Sequence, residues 1–168
     1  NTPIDKTIMH KTNQHEAEAI AKILNIYQHQ YELNRLEIVE GSIGVITPFR
    51  AQIAKILSEI RKQGLTNLPI SVDTVERYQG SARDIIIISL TTNNQSLLNS
   101  MSNMSDEGID RKLNVALTRA KEQIVILGNK KILSAKIGYR SLLECCHRID
   151  YEKLLENCQS FDKFTLQE

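Results

Sequence analysis

Two kinds of apolar spacing alternate along the chain. At residues 43–47 (IGVIT), 70–75 (ISVDTV), 84–90 (DIIIISL) and 123–127 (QIVIL), apolar residues crowd into short runs. Runs of that length predict strands, and those apolar on successive residues predict strands covered on both faces, as in parallel sheets. A further short strand is predicted over residues 4–9. Between these runs the apolar positions recur at helical spacing. Helices are predicted over residues 15–31, 49–62, 109–120, 138–148 and 151–158. Strands that alternate with helices imply an α/β fold with a mainly parallel sheet.

Polar residues punctuate the pattern. Asn13 stands where the first helix needs an N-cap, and Glu16 follows at capping-box spacing. Gly64 stops the second helix. The stretch 91–105, TTNNQSLLNSMSNMS, is rich in Ser and Asn. It reads as a long surface loop, too polar for the core.

Composition narrows the class. Apolar residues make up 41% of the 168, so the chain has the makings of one globular domain with a sizeable core. No apolar run is long enough for a membrane span, and no membrane partner is expected. The start, NTPIDKTIMHK, holds no signal core and no initiator Met, so the chain reads as a piece of a longer protein. Lys and Arg number 21 against 20 Asp and Glu, so any nucleic-acid binding must rest on local patches. Three cysteines, two of them the neighbours Cys145 and Cys146, suit a reducing cytoplasm. These two are expected to pack as small apolar residues. The four histidines show no metal-ligand spacing, so no metal site is expected.

Three segments are expected at the carboxyl ends of strands, where open α/β sheets place their ligands. In GVITPFRAQ, a strand ends at Thr47 and Pro48 breaks it before a helix begins. Thr47 offers a hydroxyl, and the new helix offers free N–H groups, to a phosphate. A plain strand-to-helix turn needs the same residues. In SVDTVERYQGSARDIIIISL, two strands flank a polar turn. Gly80 admits close approach of the backbone to a ligand, Gln79 both donates and accepts, and Thr74 is placed to meet a phosphate. A surface loop has the same composition. In DRKLNVALTRAK, Leu113, Ala116, Leu117 and Ala120 form an apolar stripe, with Arg119 on its flank. A guanidinium there can offer a bidentate, permanently charged fork to a phosphate, although spacing alone also fits a solvated arginine.

In this order the three segments resemble motifs IV, V and VI of the second RecA-like domain of superfamily 1 helicases. The branch resembled is that of the RNA-decay and DNA-replication helicases that move five-prime to three-prime. The likeness covers roughly residues 40–135. It implies a RecA-like, P-loop-NTPase-type fold for residues 1–168, as the C-terminal motor domain of an ATP-dependent helicase or translocase. It further implies Arg119 as the catalytic arginine finger on the γ-phosphate of ATP. Gln79 and Gly80 would couple nucleotide to nucleic acid. Thr47, Pro48 and Thr74 would lie along the nucleic-acid backbone. Asn114 and Thr118 would fix the motif VI helix, and Asp84 would order a loop.

One position departs from the pattern. Members of the family often carry Glu two residues after the QG pair, where this chain has Ala82. The chain also has no GxxxxGK[ST] and no acidic Mg²⁺ motif. The resemblance therefore implies that ATP and Mg²⁺ are held by a first RecA-like domain of the same protein, and that this chain alone is inactive. Its other implied partner is single-stranded nucleic acid, DNA rather than RNA. The competing expectation is a degenerate RecA-like module that binds nucleic acid or a partner without ATPase activity. A small α/β domain with unrelated phosphate loops is a third.

Overall fold

The computed structural model describes residues 2–3, 11–78, 82–101 and 110–154. Among the described residues four strands form one sheet: β1 (Ile43–Thr47), β2 (Ser71–Thr74), β3 (Arg83–Ser89) and β4 (Ala120–Leu127). Their spatial order is β2–β1–β3–β4, and every pairing is parallel. Helices α1 (Gln14–Leu33), α2 (Arg50–Lys62), α3 (Gln95–Met101), α4 (Arg111–Leu117), α5 (Lys130–Leu133) and α6 (Ile137–Cys145) flank it. This is the α/β architecture with a parallel sheet that the alternating pattern predicts, and it agrees with the RecA-like fold that the resemblance implies.

The side-chain period of the strands divides the core in two. Ile43, Val45, Ile85 and Ile87 point to the face covered by α1 and α2. Ile46, Ile86 and Ile88 point to the other face, under Val75, Leu98, Leu113 and Leu133. The isoleucine run of β3 is apolar throughout because both faces are covered.

Local signals set most boundaries. The Asn13 side chain accepts from the Glu16 N–H at 3.0 Å and starts α1. Gly64, at φ +73°, ends α2 in a conformation that glycine adopts without strain. The helix predicted over 109–120 is shorter: Asp110 caps it by accepting from the Lys112 and Leu113 N–H groups, and it closes at Thr118. Beyond that point, pairing with β3 draws Ala120 into β4, because Arg83 and Ala120 are partners.

Three expectations are corrected. Residues 91–101 are no surface loop: Thr91, Thr92 and Asn93 are buried, Asn94 accepts from the Leu97 N–H, and Leu98 is fully buried in the second core. One leucine at a helical position outweighs the polar composition around it. Among the described residues the strand QIVIL is at the sheet's edge, and Lys121, Glu122, Gln123 and Ile124 are exposed. Cys145 and Cys146 are exposed at the end of α6 instead of packed. The strand expected at 4–9 and most of the helix expected over 151–158 lie outside the described residues; 151–154 is helical.

Candidate functional site

The parallel sheet has two chemically different edges. At the carboxyl edge β1 and β2 end side by side, with Thr47 registered against Thr74. Neighbouring strands are about 4.8 Å apart, so motif-like segments distant in sequence meet here. Pro48 follows Thr47 directly and lines a shallow apolar pocket with Ile46, Val75, Leu90, Leu113 and Tyr139. Thr74 is half-buried. Glu76 pairs with Lys112 of α4 at 2.9 Å, and this pair holds its carboxyl below the usual carboxylate range. The Thr47 side chain differs from the expectation of an accessible hydroxyl. It is fully buried and has no hydrogen-bond partner among the described residues. An orphan of this kind costs about 1–3 kcal/mol.

Behind this edge is a buried polar lattice. Gln52 Nε2 donates to the Asn13 carbonyl at 2.9 Å and to Ser89 Oγ at 3.2 Å, while the Asn13 N–H donates to Gln52 Oε1 at 2.8 Å. Asn13 Nδ2 donates to Asn93 Oδ1 at 2.9 Å. The Glu16 carboxylate accepts from Ser89 Oγ at 2.7 Å, the Thr91 N–H at 2.9 Å and the Thr2 hydroxyl at 3.4 Å. The capping box is thus half-formed: Asn13 caps α1, but Glu16 reaches across to β3. Burial pushes the Glu16 carboxyl up to about 7, against the opposing pull of Ser89, the Thr91 and Thr92 N–H groups and Thr2. Thr91 is held at φ +49°, a left-handed backbone that costs a β-branched residue about 1–2 kcal/mol. Sequence reasoning missed Gln52, Ser89 and Thr91 as a unit. Only the pairing of β1 with β3 brings them together.

The amino edge holds Arg119. This corrects the expectation that all three motif-like segments sit at carboxyl ends. Helix α4 runs back across the sheet. It starts at Asp110, whose carboxylate accepts from Tyr139 Oη at 2.9 Å, and ends where the Arg119 carbonyl accepts from the Arg83 N–H at 2.8 Å. Arg119 is therefore separated from Thr47 by the length of β3, seven residues or roughly 20 Å. It lies in the turn after α4 and is half-buried. Its Nε donates to the Val115 carbonyl at 3.2 Å and one terminal nitrogen donates to Thr118 Oγ1 at 3.2 Å. Thr118 in turn donates to the Val115 carbonyl at 3.0 Å. A cation on the last carbonyls of a helix also suits the helix dipole. The fork is tethered at one side, and Asn114 is exposed on the same helix.

Asp84 belongs to β3, not to a loop, and pairs with Lys121 of β4 at 2.9 Å. Close by, the Arg83 guanidinium lies 5.5 Å from the Tyr78 ring centroid, and Tyr78 Oη donates to the Ser71 carbonyl at 2.6 Å. Gln79 and Gly80 lie outside the described residues. Ala82 is exposed, and its carbonyl accepts from Arg83 at 2.9 Å.

Residues 2–131 match the family model described as an AAA domain. Among curated relatives, the chain is 40% identical over 107 residues to the regulator of nonsense transcripts 1 of Dictyostelium discoideum, covering 61% of this chain and 8% of that protein. It is 34% identical over 148 residues to the Arabidopsis thaliana homolog of that regulator, covering 86% and 11%. It is 34% identical over 112 residues to the DNA polymerase alpha-associated DNA helicase A of Saccharomyces cerevisiae, covering 67% and 16%. The chain thus spans a sixth or less of the length of these three relatives. It belongs to this AAA-domain family, as a helicase domain of the superfamily 1 branch that holds the RNA-decay and DNA-replication helicases.

Proposed function

We propose that residues 1–168 are the second RecA-like domain of an ATP-dependent helicase or translocase, and that Arg119 is its arginine finger. The observation that carries this reading is the tethered Arg119 fork at the close of α4, on the edge opposite the Thr47–Thr74 pair. One edge then serves the nucleotide and the other the strand, and the sheet between them is the rigid lever.

The chain lacks a GxxxxGK[ST] loop, so the phosphate cradle and the Mg²⁺ carboxylates are assigned to a first RecA-like domain. ATP held there would supply the phosphoryl group that reacts. The donor set of this chain fits a supporting role toward it. Thr118 and Val115 hold the Arg119 guanidinium by one side, leaving N–H groups to meet an equatorial oxygen from across the cleft. Developing negative charge is stabilised by a donor already in place. Gln79 and Gly80 would couple nucleotide to nucleic acid in this reading. At the far edge, Thr47, Pro48 and Thr74 follow the backbone of a single strand, with the half-buried Pro48 and Thr74 nearest the surface and the sealed Thr47 side chain behind them. Closure and opening of the cleft would move this edge along the strand. The single strand is DNA in this proposal. It rests on the VERYQGSARD form of motif V, since the relatives are named for both DNA and RNA tasks.

The decisive experiment is the single-strand-stimulated ATPase of the full-length protein, wild type against Arg119→Ala. A loss of at least about a hundredfold in kcat with strand binding retained is expected. An unchanged rate overturns the finger role. Ala82, where relatives often have Glu, favours a second reading as a binding module without chemistry, and a full-length protein with no ATPase would establish that instead. The isolated domain should bind ATP weakly or not at all, and a micromolar Kd by calorimetry would contradict the half-site assignment.

A further inference from the structure

Charge is segregated along this chain. From Gln123 to Leu143 there is no acidic residue, while Lys130, Lys131, Lys136 and Arg140 bring four positive charges. Without those four, the chain would carry a net charge of −3 instead of +1. The four lie on the short α5 and α6 segment, which leaves the carboxyl edge of the sheet: Gly128 and Asn129 follow the last residue of β4, and the Asn129 N–H donates to Thr92 Oγ1 at 2.7 Å.

Packing sets this segment beside the Thr47–Pro48 turn. Tyr139 of α6 is buried in the pocket that Pro48 lines, and its hydroxyl is anchored on Asp110. The next residue, Arg140, is exposed. Its Nε and one terminal nitrogen both donate to the Ser134 carbonyl, at 3.0 and 2.9 Å. That clamp fixes the guanidinium on one side and leaves the rest of the fork facing outward. Lys130 and Lys131 are exposed at the start of α5, and Ile137 is 80% exposed between the basic residues. Neither Lys131 nor Arg140 pairs with a carboxylate among the described residues. An exposed apolar side chain beside a clamped guanidinium and exposed lysines suits a polyanion that also carries apolar faces.

We infer that the α5–α6 strip is an additional strand-binding surface, which takes the phosphodiester backbone of a single strand as it runs on from the Thr47–Pro48–Thr74 edge. This rests on the reading of that edge as the strand groove, and it adds residues that motifs IV, V and VI do not contain. The strip lengthens the footprint by at least two phosphates, one at Lys131 and one at Arg140. Recognition is by charge and so is independent of sequence.

The test measures binding of the full-length protein to single-stranded oligonucleotides of two lengths across a salt series. The variants are Lys131→Glu and Arg140→Glu, singly and together, with Arg140→Lys as the conservative control. Both side chains are exposed, and an unchanged melting temperature checks the fold. For the long oligonucleotide, the double variant is expected to lower the slope of log K against log salt by about 1.4 and to lose affinity on the order of tenfold. The short one, confined to the Thr47–Thr74 edge, is expected to bind as to wild type. Since Arg140 also clamps α5 to α6, Lys131→Glu alone must give about half the change in slope. If wild type binds both oligonucleotides and the variants bind them with unchanged slope, the strip is overturned while the groove stands. If wild type binds neither, the strip falls together with the reading it rests on. If the variants keep strand binding but lose an acidic protein partner, the surface belongs to that partner and the inference is wrong.

Discussion

The two edges of the sheet are built on different principles. The carboxyl edge is backed by a lattice in which Asn13, Glu16, Gln52, Ser89, Thr91 and Asn93 are all at most 9% exposed and hydrogen-bonded. Those bonds tie the start of α1, the start of α2 and the end of β3 into one unit. At the amino edge the interactions among the described residues are nearer the surface: two hydrogen bonds that hold Arg119 by one side, a cation over Tyr78, and the Asp84–Lys121 pair with side chains 34% and 58% exposed. Buried networks are costly to break, and partly exposed ones can rearrange at little cost. The contrast therefore predicts that changes at the carboxyl edge act on stability, and changes at the amino edge act on turnover.

The largest test is Glu16→Ala. It strips partners from Ser89 Oγ and the Thr91 N–H and leaves Thr91 in a strained backbone, so unfolding free energy should fall by about 3 kcal/mol or more in urea titration. A loss under about 1 kcal/mol would mean that the lattice is not what makes this edge rigid.

Acidity sharpens the same point. Glu16 carries a folded-state value of about 7 against 4.5 for the ordinary carboxyl, so the native protein binds the proton more tightly than the unfolded chain does. The stability this brings is complete below about pH 4.5 and is lost as pH rises toward 7. The loss is about 3 kcal/mol in all, after which the profile is flat. Chemical denaturation of wild type at pH 5 and pH 7.5 should show it, and Glu16→Gln should remove the slope. A wild-type profile that rises over that window would contradict the assignment.

Arg119→Ala should behave in the opposite way. The hundredfold loss of turnover corresponds to about 2.7 kcal/mol of transition-state stabilisation, while unfolding should change by less than about 1 kcal/mol, since the side chain contributes only helix-terminal contacts. Equal damage to both would erase the distinction between the edges.

Gly44→Ala marks where the contrast breaks down, because the amino edge is tightly packed at this point. A Cβ there would stand 2.7 Å from Tyr78 Oη and 2.9 Å from the same ring, with Arg83 Cγ at 3.0 Å. The ring is rigid and anchored on Ser71, so a loss of about 1–3 kcal/mol in stability is expected from overpacking. The smallest effect belongs to Asp84→Ala. The pair it breaks is half in solvent, and thermal melts should shift by no more than about 0.5 kcal/mol equivalent.

Much of the fold is legible in the residues alone. The isoleucine run of β3, the Asn13 cap and the Gly64 stop are local signals, and each produces the element it announces. The register that brings Thr47 beside Thr74 is not local, nor is the reach of Glu16 across to Ser89, 73 positions along the chain. Leu98 was masked by the Ser and Asn around it, because composition averages over a window while a core accepts one side chain at a time. The exposed cysteines show the reverse: an apolar residue type packs only where an element turns it inward.

The α/β alternation, the motif order and the arginine at the close of α4 are written in the residues alone, since each depends on spacing along the chain. Packing in space sets which described strand lies at the edge, seals the Thr47 hydroxyl, and puts Arg119 and the threonine pair at opposite ends of the sheet. Those outcomes depend on how parallel strands and a returning helix are ordered in space, which no window of sequence contains.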